Sequence, residues 1–270
     1  MALTWLAAGC GSSSEEAAAA VALFELSRGT PISEFYALPF PNDLRRHPNG
    51  AIDLAEHPRP SSLLGEIMDA IERHTDGFGV NAATFARFSG PIAPASLPGS
   101  PGDSMLATAS VYLVDVDPDS PGRGERTPLR VRFQVAAGKS IGAHWLGCLP
   151  YPGFPLRSRT THALVITTRV RTPDGSKVDR SADMEALLAA GEDEPVVAAA
   201  REVYRPFLDW LDESGGDERA DVAAAAVFTT QDATSLMGRL RTVVLREVPA
   251  PTARNVVRRT HKSTFDVFEG

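Results

Sequence analysis

One segment of the chain places a serine between two glycines at the spacing that many serine hydrolases use. Gly138-Lys139-Ser140-Ile141-Gly142 fits the pattern Gly-x-Ser-x-Gly, in which the serine occupies a sharp turn between a strand and a helix. Asp174 and His261 follow in the order acid, then base. The glycines and prolines that come after the motif disfavour a helix there. We therefore favour a glycine-rich loop of a β-structure, with a catalytic triad of Ser140, Asp174 and His261 as the alternative.

Three aspartates at alternate positions raise the question of a metal site. Asp115, Asp117 and Asp119 are spaced like the oxygen ligands that open a calcium-binding loop. Glu125 falls one position short of the bidentate ligand of such a loop, and the flanking segments have the pattern of strands rather than helices. A solvated acidic turn is the interpretation we favour, with calcium as the alternative. The six histidines show no metal-ligand spacing, and we predict no cofactor.

Cys10 lies in a context typical of lipid attachment. Leu6-Ala7-Ala8-Gly9-Cys10 resembles a bacterial lipobox, and a polar, serine-rich stretch follows at 11–16. The apolar run at 1–8 is short and has no charged residue before it, so we expect a signal that is cut short, with residues 1–30 forming this signal and a tether. We therefore expect a protein of the cell envelope or the extracellular space, held to a membrane by acyl chains on Cys10. The alternative is an alanine-rich, disordered N-terminus.

Composition and charge exclude several classes of protein. The 270 residues are 43% hydrophobic and 23% charged, enough to build a sizeable core. The net charge of -7 and the lack of a basic stripe argue against a nucleic-acid partner. No apolar run reaches the length of ~18 residues that a membrane-spanning helix needs.

The hydrophobic pattern predicts a mainly β structure that also contains helices. Alternating or β-branched segments predict strands, and the first two of these are expected to pair with each other. Capping residues and helical spacing predict the helices. The strands are predicted at 107–115, 129–135, 162–171 and 222–230, and the helices at 61–74, 181–190, 195–212 and 235–245. The expected architecture is a β-sandwich decorated with several helices, α+β overall.

Several short motifs, taken in order, resemble a known family. They are Leu38-Pro39-Phe40-Pro41-Asn42-Asp43-Leu44 with Pro48-Asn49-Gly50, Asp76-Gly77-Phe78, Ser110-Val111-Tyr112-Leu113-Val114-Asp115, Pro152-Gly153-Phe154-Pro155-Leu156-Arg157 with Thr160-Thr161-His162-Ala163, and Val227-Phe228-Thr229-Thr230-Gln231. The chain resembles the N-terminal region of exported bacterial lipoprotein lipases and esterases of the virulence-factor-lipase N-terminal type. The resemblance implies an Ig-like β-domain without catalytic residues, here at 31–248, and a linker at 249–270 toward a hydrolase domain that would follow Gly270.

These observations predict a non-catalytic accessory or interaction domain of an exported lipoprotein that is normally fused to an α/β-hydrolase. Two alternatives stay open at this point. One is a serine ester hydrolase that uses Ser140. The other is a cell-surface module that binds carbohydrate or protein.

Overall fold

A computed structural model describes residues 19–29, 33–189, 191 and 194–270, and these residues form two compact units. The first unit extends to Gln231, and the second comprises Asp232–Gly270. The two units are described separately below.

The first unit combines short strands with three helices. Its strands, in chain order, are β1 (Val21–Ala22), β2 (Thr84–Arg87), β3 (Val111–Asp115), β4 (Arg126–Thr127), β5 (Leu129–Gln134), β6 (Trp145–Pro150), β7 (Thr161–Thr167), β8 (Asp179–Arg180) and β9 (Val222–Thr229). Its helices among the described residues are α1 (Ser62–His74), α2 (Ala182–Leu188) and α3 (Pro195–Ser214). One antiparallel sheet has the order β4-β3-β7-β9, and a second has the order β2-β6-β5. Strands β1 and β8 form a separate parallel pair.

The four-stranded sheet is buried on both of its faces. On one face Val111, Leu164 and Phe228 share a hydrophobic cluster with Leu146 and Cys148 of the three-stranded sheet. On the other face the intervening residues of β3, β7 and β9 pack against α2 and α3. Strand β9 is mostly alanine and valine, and small side chains let two layers approach the sheet closely.

Local sequence signals account for the ends of the helices. The Oγ atom of Ser61 accepts a hydrogen bond from the Leu64 N–H at 3.3 Å, and that of Ser181 accepts one from the Met184 N–H at 3.2 Å. Pro195 occupies the first turn of α3, where its missing N–H is not needed. Gly215 ends α3 in the left-handed conformation, with φ of 62°.

The predicted class is confirmed, because the first unit is rich in antiparallel β-structure and contains helices. The expected pairing of the segments at 107–115 and 129–135 is wrong. Strand β3 pairs with β4 and β7, whereas β5 pairs with β6 in the other sheet. The short strand β4 lies between them in sequence and takes the edge position beside β3, and Pro128, which has no N–H to donate, separates it from β5.

The helix α1 is only partly packed on the unit. Met68 and Ile71 contact the hydrophobic cluster between the sheets, but Leu63 and Ile67 are exposed. Its apolar stripe therefore covers the core with its C-terminal half alone.

The second unit contains the helix α4 (Ser235–Arg246) and an antiparallel hairpin of β10 (Val257–His261) and β11 (Asp266–Glu269). The units divide after Gln231, earlier than the predicted boundary at residue 248, and the segment at 249–270 contains a hairpin. Gln231 is the point where the chain leaves the first unit, and its N–H donates to the Phe78 carbonyl at 2.8 Å. Within the part of the chain that the structure describes, no helix is long and apolar enough to cross a membrane.

The buried hydroxyl of Tyr204 links α3 to strand β9, and its removal measures how much this link stabilises the first unit. It accepts a hydrogen bond from Asn42 Nδ2 at 2.7 Å and donates one to the Ala225 carbonyl at 3.1 Å, in a site with no solvent. Tyr204→Phe leaves the buried Asn42 amide short of an acceptor, and we expect the free energy of unfolding to fall by about 1–3 kcal/mol. Urea unfolding measures this change. Tyr151→Phe, at a half-exposed tyrosine, is the control and should change it by less than about 0.5 kcal/mol.

Candidate functional site

Ser140 lies in the loop between β5 and β6, at residues 135–144. The Gly138 N–H donates to the Ile141 carbonyl at 2.8 Å, and the His144 N–H donates to the Val135 carbonyl at 3.1 Å, which closes the loop as a hairpin connection. The chain then continues directly into β6. A nucleophile elbow requires a helix after the serine, because the N–H groups at the start of that helix help to form the oxyanion hole. The loop therefore has the conformation of a hairpin and not of an elbow.

Ser140 nevertheless borders a cavity of about 630 Å³. Its walls include Glu34, Tyr36 and Glu56, and no histidine lines it among the residues that the structure describes. Both carboxylates are already paired: Glu34 contacts Arg87, and Glu56 lies 3.0 Å from Arg45.

His57, whose ring packs against Phe35 and Tyr36 of the cavity wall, already has partners at both ring nitrogens. The Nδ1 atom of His57 lies 2.9 Å from the Pro58 carbonyl, which can only accept, so Nδ1 carries the proton. The Tyr36 hydroxyl then donates to Nε2 at 3.1 Å. Burial lowers the pKa of His57 below its ordinary value. The Tyr36–His57 pair holds the aromatic wall of the cavity in place, and both ring nitrogens have protein partners.

The other two residues of the candidate triad have partners elsewhere. Asp174 lies in an exposed turn, where its carboxylate accepts from the Thr172 hydroxyl and, at 3.1 Å, from the Ser176 N–H. These hydrogen bonds lower the pKa of Asp174. His261 belongs to β10 of the second unit, and its Nδ1 lies 2.6 Å from Asp266 Oδ1. Within the second unit, His261 is thus paired with Asp266.

Two of the three aspartates of the candidate calcium loop, Asp115 and Asp117, accept hydrogen bonds from their own segment and from β7. Asp115 accepts from the Asp117 N–H at 3.1 Å and from the Ser120 hydroxyl at 2.5 Å. Asp117 accepts from the N–H groups of Asp119 and Thr161, both at 3.0 Å. Among the described residues, no group of three or more His, Cys, Asp or Glu side chains could hold a metal ion. These carboxylates fold the turn at the end of β3.

A second cleft, of about 320 Å³, lies at this end of the four-stranded sheet and contains a residue that the motifs did not identify as functional. His162 of β7 is the register partner of Asp115 of β3, and both side chains point toward the three-stranded sheet. They are 2% and 3% exposed. Neither ring nitrogen of His162 makes a hydrogen bond of standard geometry, and the Arg157 carbonyl is the only backbone group that acts on the pKa of the ring. A buried polar group without a partner is rare in folded proteins and demands an explanation. We call this the His162 cleft.

Charged and aromatic side chains form the rim of the His162 cleft. Arg157 lies 3.0 Å from Glu125 and 3.9 Å from Asp115, so it joins the exposed rim to the buried floor. Phe154 lines the cleft and is 53% exposed, and its ring centroid lies 6.4 Å from that of Tyr151. The cleft therefore presents fixed hydrogen-bonding groups beside exposed aromatic rings.

A signal for this cleft was present in the sequence. Asp115 continues the face that Val111 and Leu113 begin, and His162 continues the face of Leu164 and Ile166. A polar residue at the end of an otherwise apolar face, on each of two segments, points to a shared polar site. Finding it requires knowledge that β3 pairs with β7, which the pattern of the separate segments does not contain.

Cys148, the cysteine that the structure describes, supplies no reactive group to these sites. Cys148 is a free thiol in the interior of β6, and burial raises its pKa. Cys10, the candidate for lipid attachment, lies outside the described residues.

Comparison with known proteins does not assign the chain to a family. No family model matches it, and no curated protein matches its sequence.

The buried imidazole predicts that acid destabilises the protein. Burial lowers the pKa of His162, although the charge of Asp115 acts in the opposite direction. Below about pH 6.5 an unfolded chain binds a proton at this histidine that the folded chain resists, so this stability is present above that pH and is lost as the pH falls. His162→Phe should reduce the drop in urea midpoint between pH 7.5 and pH 5. His74→Gln, at an exposed histidine, should leave the drop unchanged, and a His162→Phe profile identical to wild type would contradict the assignment.

Proposed function

We propose that the chain is a non-catalytic accessory domain that acts by binding, within an exported bacterial lipoprotein whose catalytic part is an α/β-hydrolase. The observation that carries the first half of this proposal is the course of the chain at Ser140, which runs from a hairpin loop into β6. The second half rests on the ordered motifs from Leu38 to Gln231 and on the lipobox-like residues before Cys10. An Ig-like sandwich is the fold that this proposal implies for the first unit.

The arrangement around Ser140 supports binding over hydrolysis. An acyl-transfer site needs a nucleophile in contact with a base, and donors that stabilise the developing oxyanion. Here the acidic walls of the cavity are paired with Arg45 and Arg87, and His57 is bonded to Tyr36 and Pro58. The sheets, by contrast, hold two clefts with aromatic walls in fixed geometry, which is what recognition of a ligand requires.

An ester assay tests the absence of catalysis. We expect the purified chain to hydrolyse p-nitrophenyl butyrate no faster than the Ser140→Ala variant does, because Ser140 has no base in the described structure. Lys139→Ala, at the neighbouring exposed residue, is the matched control for a change in the loop. Turnover by the wild type that disappears in Ser140→Ala and persists in Lys139→Ala would establish a serine hydrolase and overturn the proposal.

Lipid attachment is tested at Cys10. With the gene expressed from its own genomic locus, we expect radiolabelled palmitate to enter the protein and the protein to sediment with membranes. Cys10→Ala should abolish both the label and the sedimentation, because a bacterial lipobox cysteine is the acylated residue. Cys148→Ala is the control and should retain the label. Equal labelling of the wild type and Cys10→Ala would remove the anchor from the proposal.

A further inference from the structure

The His162 cleft contains a buried polar group that the protein itself does not satisfy. His162 is 2% exposed, and neither of its ring nitrogens makes a hydrogen bond of standard geometry, although the nearby Arg157 carbonyl interacts with the ring. On the floor of the cleft its ring lies beside Phe228, with 6.1 Å between the centroids, and in register with Asp115. An imidazole kept in this position costs free energy unless a further molecule supplies a hydrogen bond. The geometry therefore calls for an occupant of the cleft.

The charges around the cleft determine which chemistry fits. An anion would have to enter beside the carboxylates of Asp115 and Glu125, which repel it even though Arg157 lies between them. A metal ion lacks a set of three protein ligands among the described residues. A hydroxyl group both donates and accepts, so it suits a neutral imidazole, a carboxylate and a guanidinium at once. The polar set thus fits an uncharged ligand that carries several hydroxyl groups.

The rim also supplies an apolar surface, as an uncharged ligand requires. Tyr151-Pro152-Gly153-Phe154 is a tight turn in which the Phe154 N–H donates to the Tyr151 carbonyl at 3.0 Å, and Gly153 adopts a φ of +95°. Pro152 and Gly153 suit the second and third positions of a type II turn, so the turn is pre-organised. The Tyr151 N–H is anchored to the Pro128 carbonyl at 2.8 Å. Two exposed rings are therefore held in place at small entropic cost for a ligand.

The position of the Arg157 guanidinium at the rim depends on Gly122. A Cβ atom on Gly122 would lie 2.6 Å from Arg157 Nε and 2.8 Å from Glu125 Oε2. The absence of a side chain at this position lets the Arg157–Glu125 pair lie close to the backbone at the mouth of the cleft. Gly122 thus offers a way to move the rim without changing any residue that lines it.

We propose that the His162 cleft binds an uncharged carbohydrate. The hydroxyl groups of a sugar ring bond to His162, Asp115 and Arg157, and its C–H face packs on Phe154. Aromatic rings that pack on the apolar face of a ligand beside a few fixed polar groups are the usual composition of a small-molecule site. The assignment rests on the proposed function in one respect, namely that the domain acts by binding, and it gives that binding a substrate class.

The test uses cellohexaose, maltohexaose and N-acetylchitohexaose as uncharged probes, with inorganic phosphate and oligogalacturonate as anionic ones. Titration calorimetry measures affinity, and NMR of ¹⁵N-labelled histidine follows the His162 ring. We expect at least one uncharged hexaose to bind and to shift the His162 ring signals. Phe154→Ala should weaken that binding roughly tenfold, the loss expected when an aromatic contact is removed. Gly122→Ala should also weaken it, through displacement of Arg157, while Phe265→Ala, at an exposed ring of the second unit, should not.

Three results would overturn the assignment. They are the failure of all three uncharged hexaoses to bind, equal affinity of Phe154→Ala and wild type, and a response of His162 to the anionic probes alone. In the first case the unpartnered nitrogens are satisfied by water, and in the last by an anion. Esterase activity dependent on Ser140 would refute the proposed function without changing any of these readouts, so the two failures are distinguishable.

Discussion

The burial of the four-stranded sheet on both faces is the constraint on which the first unit depends. With apolar layers above and below, its backbone groups have no water to bond and must pair along the ladders between β3, β7 and β9. Polar side chains on the sheet must likewise find partners inside the protein. The Thr167 hydroxyl donates to the Ser110 carbonyl at 3.0 Å, and the Asp43 carboxylate accepts from the N–H and the hydroxyl of Thr229 at 3.0 and 2.6 Å. These bonds tie neighbouring segments to the ends of the strands.

Because the sheet is buried on both faces, a polar side chain on it that makes no good hydrogen bond, such as His162, is informative. Among the described residues of the sheet, the buried side-chain atoms without a hydrogen bond of standard geometry are the Tyr112 hydroxyl and the two ring nitrogens of His162, and His162 lines a cleft. The His162 ring nitrogens lie where β3 ends and the turn held by Asp115 and Asp117 begins. At this end the layer between the sheets opens to the rim formed by Phe154 and Arg157. Of the carboxylates first considered for calcium, Asp115 therefore lines the cleft, and Asp117 accepts from the Thr161 N–H at the start of β7.

The sequence was sufficient to predict the elements whose signals lie in a few neighbouring residues. Ser61 and Ser181 cap helices, Pro195 begins one, and the alternation at 129–135 corresponds to β5. It was insufficient to predict the order of the strands, which depends on tertiary pairing. Strand β6 contains Gly147 and Pro150, which weaken a strand signal, yet it is the central strand of its sheet because Leu146 and Cys148 pack inward.

The partners of side chains were even harder to predict from the sequence than the pairing of strands. The Gly-x-Ser-x-Gly spacing is a property of five consecutive residues, but its meaning depends on whether a helix or a strand comes next. The inward face of α3 combines Ala200, Phe207 and Leu211 with the large aromatic residues Tyr204 and Trp210, whose burial depends on the sheet beneath the helix.

The polar side chains that a hydrolase would bring together lie in separate parts of the first unit. A hydrolase concentrates a nucleophile, a base and an acid within hydrogen-bonding distance of one another. In this protein the serine of the glycine-rich motif lies at a hairpin loop, the buried His162 lies at the end of the other sheet, and the acid at position 174 is enclosed in its own turn. Burial lowers the pKa of both His57 and His162, which favours neutral rings that form hydrogen bonds. Neutral imidazoles, paired charges and exposed rings support the proposed role in binding.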